Sequence, residues 1–201
     1  MNDMDVRTYA TIAGVCARLA GRLSDDIVGT VREHYYAGER ELAESTLLLS
    51  LAYEGVGVTR EEHDLIRGML EDPDNPDLDD VAILDTAPPQ LYRFVPAGPA
   101  TAPDPSRADA VLSADAHRHG GRRLRRAWRD PLDGAPNGPT WMYVLQVAAG
   151  TDELGAYSGL TSRLWVVLQE KWQLEVVVEG DLLPPYQAAA LTAAHQVWTA
   201  V

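Results

Sequence analysis

Six prolines fall between Ala87 and Ser106, at positions 88, 89, 96, 99, 103 and 105. Proline lacks the backbone donor that a helix interior or a central strand needs, so little regular structure can run through this stretch. The short run Leu91-Tyr92-Arg93-Phe94-Val95 is its one strand candidate. The remainder is a stiff, extended connector. The 201-residue chain is thereby divided into three parts: an acidic helical bundle over residues 1–85, the proline-rich connector over 86–106, and an α/β domain over 107–201. Strand 91–95 joins either the α/β domain or the bundle.

The bulk composition sets what each part must do to fold. Hydrophobic residues make up 46% of the chain, enough to bury a core without metal or disulfide staples. The single cysteine, Cys16, excludes an intramolecular disulfide and fits a reducing compartment. The N-terminal MNDMDVRTY opens with acids and has no basic region ahead of an apolar run, unlike a signal peptide. No stretch approaches the roughly 20 apolar residues of a membrane span. These features predict a soluble, cytoplasmic protein with no membrane partner.

The first part carries the grammar of four short helices. From Val6 to Leu23, apolar residues recur at Val6, Tyr9, Ala10, Ala13, Cys16, Ala17 and Ala20, the spacing of one helical face. Ser24 is placed to cap a second helix, with Asp25 and Asp26 in the first turn, where the helix dipole favours anions. Gly38 is placed to end it. Glu39–Glu54 reads as a third helix with apolar residues Leu42, Ala43, Leu47, Leu49 and Leu51, broad enough to predict burial on more than one side. Thr59-Arg60-Glu61-Glu62 is a capping box for the fourth. Pro73 and Pro76 stop anything helical.

Within residues 25–70, Gly38-Glu39 closes one helix, Leu47 to Glu54 is leucine-rich and ends on an acid, and Val56-Gly57-Val58-Thr59 leads into Glu61-Glu62. This pattern, under a quarter of the chain, resembles the small helical immunity proteins of bacterial polymorphic-toxin systems, particularly the Maf-type group. The resemblance implies a protein that binds a cognate toxin and blocks it with no chemistry of its own.

The charge distribution is compatible with that expectation. Residues 1–100 hold nineteen acids and eight arginines, net −11, while residues 101–201 are close to balanced at −2. An acidic field repels nucleic acid and speeds encounter with basic partners; it also keeps a protein soluble. The densest run is Glu71-Asp72-Pro73-Asp74-Asn75-Pro76-Asp77-Leu78-Asp79-Asp80. A calcium loop is a poor fit, because the required glycine position is Asp77 and the twelfth position is Ile83. The run is either a solvated loop or a surface that mimics an anion before a basic toxin. The contact residues expected on the toxin-binding reading are Glu54, Glu61, Glu62, Glu71, Asp72, Asp74, Asp77, Asp79 and Asp80.

In the second part, Ser106 can cap a helix that includes Val111, Leu112 and Ala116 and stops at Gly120-Gly121. Arg123 to Arg129 and Trp141 to Val147 have strand character, Thr151 or Asp152 opens a long helix, and Leu174 to Glu179 is another strand. With 91–95 the order is strand, helix, strand, strand, helix, strand, which predicts a ferredoxin-like split βαβ arrangement. Pro184-Pro185 opens an added C-terminal helix carrying Tyr186, Ala190, Ala194, Val197 and Trp198. The expected class is therefore α+β.

Catalytic and cofactor signatures are missing from the sequence. There is no GxGxxG or Walker-type GKS/T pattern. His117 and His119 form the one close histidine pair but lack assignable third and fourth ligands, so no metal is expected. Cys16 sits on an apolar helix face. Arg123, Arg125 and Arg129 beside Trp141 and Tyr143 outline a single-strand RNA platform, but the part is not basic and lacks the Gly-aromatic motif. The expectation is a cofactor-free, non-enzymatic binding protein whose partner is a basic toxin domain. Two other classes stay open: a dimerising accessory or scaffold protein, and a small enzyme of unfamiliar type.

Overall fold

The computed structural model describes residues 3–200. The chain is α+β and divides into two compact units at the Gln90–Leu91 boundary, five residues beyond the expected end of the helical part.

The first unit holds four α-helices: α1 (Asp3–Leu19), α2 (Asp25–Ala37), α3 (Arg40–Tyr53) and α4 (Arg60–Met69). The side chain of Val6, counted above on the first helical face, lies outside the described residues. Ser24 caps α2 through a 3.3 Å bond from the Ile27 N–H to its hydroxyl. Gly38 ends that helix in the left-handed conformation (φ +80°), which a glycine adopts without strain. The capping box at Thr59 is complete. Its hydroxyl accepts from the Glu62 N–H at 3.2 Å, and the Glu62 carboxylate accepts from the Thr59 N–H at 2.8 Å. Just ahead of α4, β1 (Val58–Thr59) pairs in parallel with β2 (Ile83–Leu84). Leu19, Leu23, Val31, Leu47, Leu48 and Ile66 are among the buried apolar residues of this unit.

The second unit is built on a mixed five-stranded sheet. Its strands are β3 (Tyr92–Val95), β4 (Gly121–Pro131), β5 (Thr140–Val147), β6 (Gln173–Val178) and β7 (His195–Thr199). Helices α5 (Ser106–Asp115) and α6 (Glu153–Leu168) cover one face, where Leu112, Leu124, Trp128, Tyr143, Leu160 and Leu164 belong to one buried cluster. Successive strand residues point to opposite faces, so Met142, Val144, Gln146 and Arg129 are directed away from that cluster. Helix α7 (Pro185–Ala193) packs on β3, β4 and β5. Its Tyr186 ring meets Tyr92 and Phe94 edge-on, at centroid distances of 5.5 and 5.3 Å.

Two expectations for this unit are corrected. In a split βαβ arrangement the third strand is inserted between the first and second, antiparallel to each; here the order is β3-β4-β5-β6, so β5 does not lie beside β3, and it pairs in parallel with β6. The expected last helix also ends early, at Ala193, and residues 195–199 form β7 instead. Both differences trace to the length of β4. Its eleven residues offer one edge to two short antiparallel strands, β3 against Trp128–Pro131 and β7 against Arg123–Arg126 with Leu124 bonded to Trp198. The β-branched and aromatic residues Val197, Trp198 and Thr199 suit that free edge better than a helix.

The glycine pair 120–121 serves this packing. Gly120 closes the turn after α5 at φ +71°, and a Cβ on Gly121 would sit 2.6 Å from the Ala116 carbonyl oxygen.

Candidate protein-interaction surface

The charge imbalance follows the boundary between the units. Residues 1–90 carry nineteen acids against seven arginines, a net of −12, whereas residues 91–201 come to −1. The nine predicted contact acids all belong to the first unit, but they do different jobs.

Glu62 is structural. Besides its capping bond it takes a 2.7 Å ion pair from Arg22, and both side chains are largely buried. Arg22 also donates to the Gly57 carbonyl, so the pair ties the end of α1 to the start of α4. Its neighbour Glu61 points outward and makes a 3.4 Å contact with the partly exposed Arg18. Glu54 is exposed just past the end of α3.

The run 71–80 is anchored. Residues Pro76–Asp80 form a 3-10 helix held by the buried Leu78. The Asp72 carboxylate accepts from the Asp74 N–H, and the Asn75 side chain accepts from the Asp77 N–H, each at 3.0 Å. Glu71, Asp72, Asp74, Asp79 and Asp80 are exposed on this pinned segment, and Asp77 is half-buried. Among the described residues no group of three or more His, Cys, Asp or Glu side chains could hold a metal ion.

One buried carboxylate connects this segment to α3. Glu44 accepts from the Glu71 N–H at 3.0 Å and from Arg40 Nε at 3.4 Å, while Arg40 Nη2 donates to the Met69 carbonyl at 2.7 Å. Burial raises the Glu44 pKa above the usual carboxylate range, against the lowering effect of the Glu71 N–H and Arg40. Burial, then the Glu44 charge, raises that of Tyr35. The contacts set Glu71 beside the start of α3, where a pocket of about 590 Å³ is lined by Glu39, Arg40, Glu41, Leu42, Ser45 and Glu71.

Leu42 introduces what the sequence pattern misplaced. It was expected with Leu49 on the inward side of α3, yet both point to solvent; Leu49 is 58% exposed, and Tyr53, at the helix end, is 92% exposed. Positions 42, 49 and 53 are separated by seven and four residues, so they share one helical face. That face carries an apolar stripe, with Glu39 and Glu41 at one end and Glu54 at the other. The only sequence signal was the unusual breadth of the apolar run at 47–49.

The second unit does not offer the RNA platform outlined above. Arg129 is fully buried, donating to the Tyr186 hydroxyl at 2.9 Å and to the Gly138 carbonyl at 3.0 Å. Trp141 and Tyr143 belong to the buried cluster on the other face of the sheet. Arg123 pairs with Glu179 at 3.3 Å. Arg126 lies over the Trp141 ring and is bonded to Asp109, which also accepts from the Tyr143 hydroxyl at 2.7 Å. Burial and the Asp109 carboxylate raise the Tyr143 pKa. A shallow pocket of about 400 Å³ beside this group includes Ser106, Ser113 and His195, but Arg126, Asp109 and Tyr143 are already engaged with one another. His117 is exposed, and His119 packs so closely on Gly159 that a Cβ there would meet its ring at 2.3 Å. Cys16 is buried.

No helix among the described residues is long and apolar enough to cross a membrane. Comparison with protein-family models, curated proteins and solved structures finds no match.

Proposed function

We propose that this chain is an immunity-type protein that binds a cognate, basic toxin domain and neutralises it by steric and electrostatic blockade. The observation that carries the proposal is the outward face of α3. Leu42, Leu49 and Tyr53 supply apolar anchors, and Glu39, Glu41 and Glu54 flank them, in a unit of net charge −12. Protein interfaces combine an apolar, often aromatic centre with a polar rim. The acidic rim and the pinned 71–80 segment raise the rate of encounter with a basic partner, and the apolar anchors slow its departure. The resemblance of residues 25–70 to Maf-type immunity proteins covers the helix that carries this face. No catalytic step is needed, because covering the toxin's substrate-binding surface is sufficient.

The test is co-expression with the products of the neighbouring genes, read as rescue of cell growth from one that is toxic, followed by binding kinetics on the purified pair. Exchanging Asp72, Asp74, Asp79 and Asp80 for Asn is expected to slow association about tenfold or more at low salt and to flatten its salt dependence. Leu49→Glu with Tyr53→Ala is expected to speed dissociation by about a hundredfold. Failure of the unmodified chain to protect cells or to bind the domain would end the proposal.

A further inference from the structure

We infer that α6 carries a self-association surface through which two copies of this chain pair. This inference does not depend on the toxin-binding proposal. Leu154, Tyr157, Leu160, Leu164 and Leu168 form the buried side of α6. Over the first half of the helix, the half-buried Gly155 and Ser158 and the exposed Ser162 are small or polar. The character changes over the last turn and a half. Trp165 is 54% exposed and Val166 is 67% exposed, with Val167 also open to solvent, beside the buried Leu164 and Leu168. A helix that is apolar on all sides has the composition of a covered helix. Valine is also a weaker helix former than the lysine or glutamate usual on a wet face, so its presence twice here is not explained by the helix itself.

The charge around the patch selects the occupant. A two-fold contact is self-complementary, so each rim residue meets the same rim on the other copy. A rim of one sign would repel itself, whereas a rim of both signs can pair. The charges flanking this patch are Arg163, Glu170 and Lys171, and the unit as a whole carries a net of −1. A basic toxin has no acidic field to meet here, and two copies meeting through their first units would bring −12 against −12. A membrane surface is disfavoured as well: an interfacial helix needs a strongly charged face opposite its apolar one, and the opposite side of α6 is core. Trp165 is the residue type most often found at the energetic centre of an interface. The exposed area of these three side chains is well under half of the ~800 Å² each partner gives to a standard interface. Weak, reversible pairing is therefore expected.

The experiment is sedimentation velocity on the full chain alone, over a concentration series from low micromolar to several hundred micromolar. The expected result is a reversible monomer–dimer equilibrium that Trp165→Ser with Val166→Asp weakens about tenfold or more, with unchanged circular dichroism because both side chains are solvent-facing. As a second measurement, Val166→Cys should give a dithiothreitol-reversible crosslinked dimer under mild oxidation, and Thr192→Cys, exposed on α7, should not. A monomer at every concentration overturns the inference. So does a dimer indifferent to the α6 changes, or one dissolved instead by Leu49→Glu on α3. No toxin is present in this measurement, so its failure leaves the toxin-binding proposal untouched, and a failure to bind toxin leaves the dimer standing.

Discussion

Glu61 and Glu62 are adjacent, identical in chemistry and both in the first turn of α4, yet removing them should have very different consequences. Glu62→Ala deletes one arm of the capping box, the 2.8 Å bond to the Thr59 N–H, a loss of about 1 kcal/mol by comparison with other cap deletions. It also removes the 2.7 Å partner of Arg22, whose side chain is only 14% exposed against 12% for Glu62. Hydrogen bonds to charged groups contribute about 1.5–3 kcal/mol; Arg22 keeps its bond to the Gly57 carbonyl, so the lower end applies. The combined cost is roughly 2–3 kcal/mol. For a unit of this size, each kcal/mol moves the melting temperature by about 4–8 °C, so the loss of helical signal should shift down by roughly 10–20 °C. Glu61→Ala removes a 3.4 Å contact from a side chain that is 78% exposed, and such exposed pairs contribute only about 0–1 kcal/mol. The assay is thermal and urea unfolding followed by far-ultraviolet circular dichroism. If the two alanine variants unfold within a degree or two of each other, the structural role assigned to Glu62 is wrong. On the proposed function, Glu61→Ala should instead slow toxin association without changing stability.

Three further outcomes are expected. Because burial raises the Glu44 pKa, the folded state holds that proton more tightly than the unfolded state. Its contribution to stability is therefore greatest at low pH and is lost as pH rises from the ordinary carboxylate range through the raised folded value; Glu44→Gln should remove that fall, seen as a pH-dependent gap between the two urea midpoints. Gly121→Ala would place a Cβ 2.6 Å from the Ala116 carbonyl and 3.0 Å from Leu145, costing about 2 kcal/mol or more, whereas Gly138→Ala, with nothing within 4 Å, should change the urea midpoint little. Tyr186→Phe keeps the ring packing on Tyr92 and Phe94 but takes the hydroxyl from the buried Arg129, a loss of about 1–3 kcal/mol that should also raise amide exchange along α7.

The parts of the fold that could be read in advance are those set by neighbours in sequence. Ser24, Gly38 and Thr59 act within three or four residues of themselves, and cap chemistry at that range depends little on the rest of the chain. Strand 123–129 was likewise legible from its alternation, and 141–147 from its aromatic and β-branched content. What could not be read was which strand pairs with which. That depends on how much edge β4 leaves free, and β7 reaches that edge from more than seventy positions along the chain, as the Thr199 bond to the Arg122 carbonyl shows. Residues 195–199 have no local feature strong enough to announce a strand. Only an open edge beside Arg123–Arg126 makes them one.

The candidate surface divides along the same line. Net charge is a sum over residues, independent of arrangement, so the acidity of the first unit was visible in composition. Which acids face outward is a relation between distant residues: Glu62 is withdrawn by Arg22, forty positions earlier, and Glu44 by the Glu71 N–H, twenty-seven positions later. The same holds for the anchors. Leu42 and Leu49 follow a helical spacing whichever way α3 is turned, and when apolar residues surround a helix, periodicity cannot say which face looks inward. Only the packing of Ala43, Leu47, Leu48 and Leu51 into the interior assigns the other face to solvent. Electrostatic steering, which follows from the sum, should therefore tolerate moving a charge within 71–80, whereas retention of the partner, which follows from the arrangement, should not tolerate moving Tyr53. An Asp74→Asn, Asn75→Asp exchange that preserves net charge and association rate, set against a Tyr53→Ser, Ser50→Tyr exchange that preserves composition and loses affinity, would separate the two contributions.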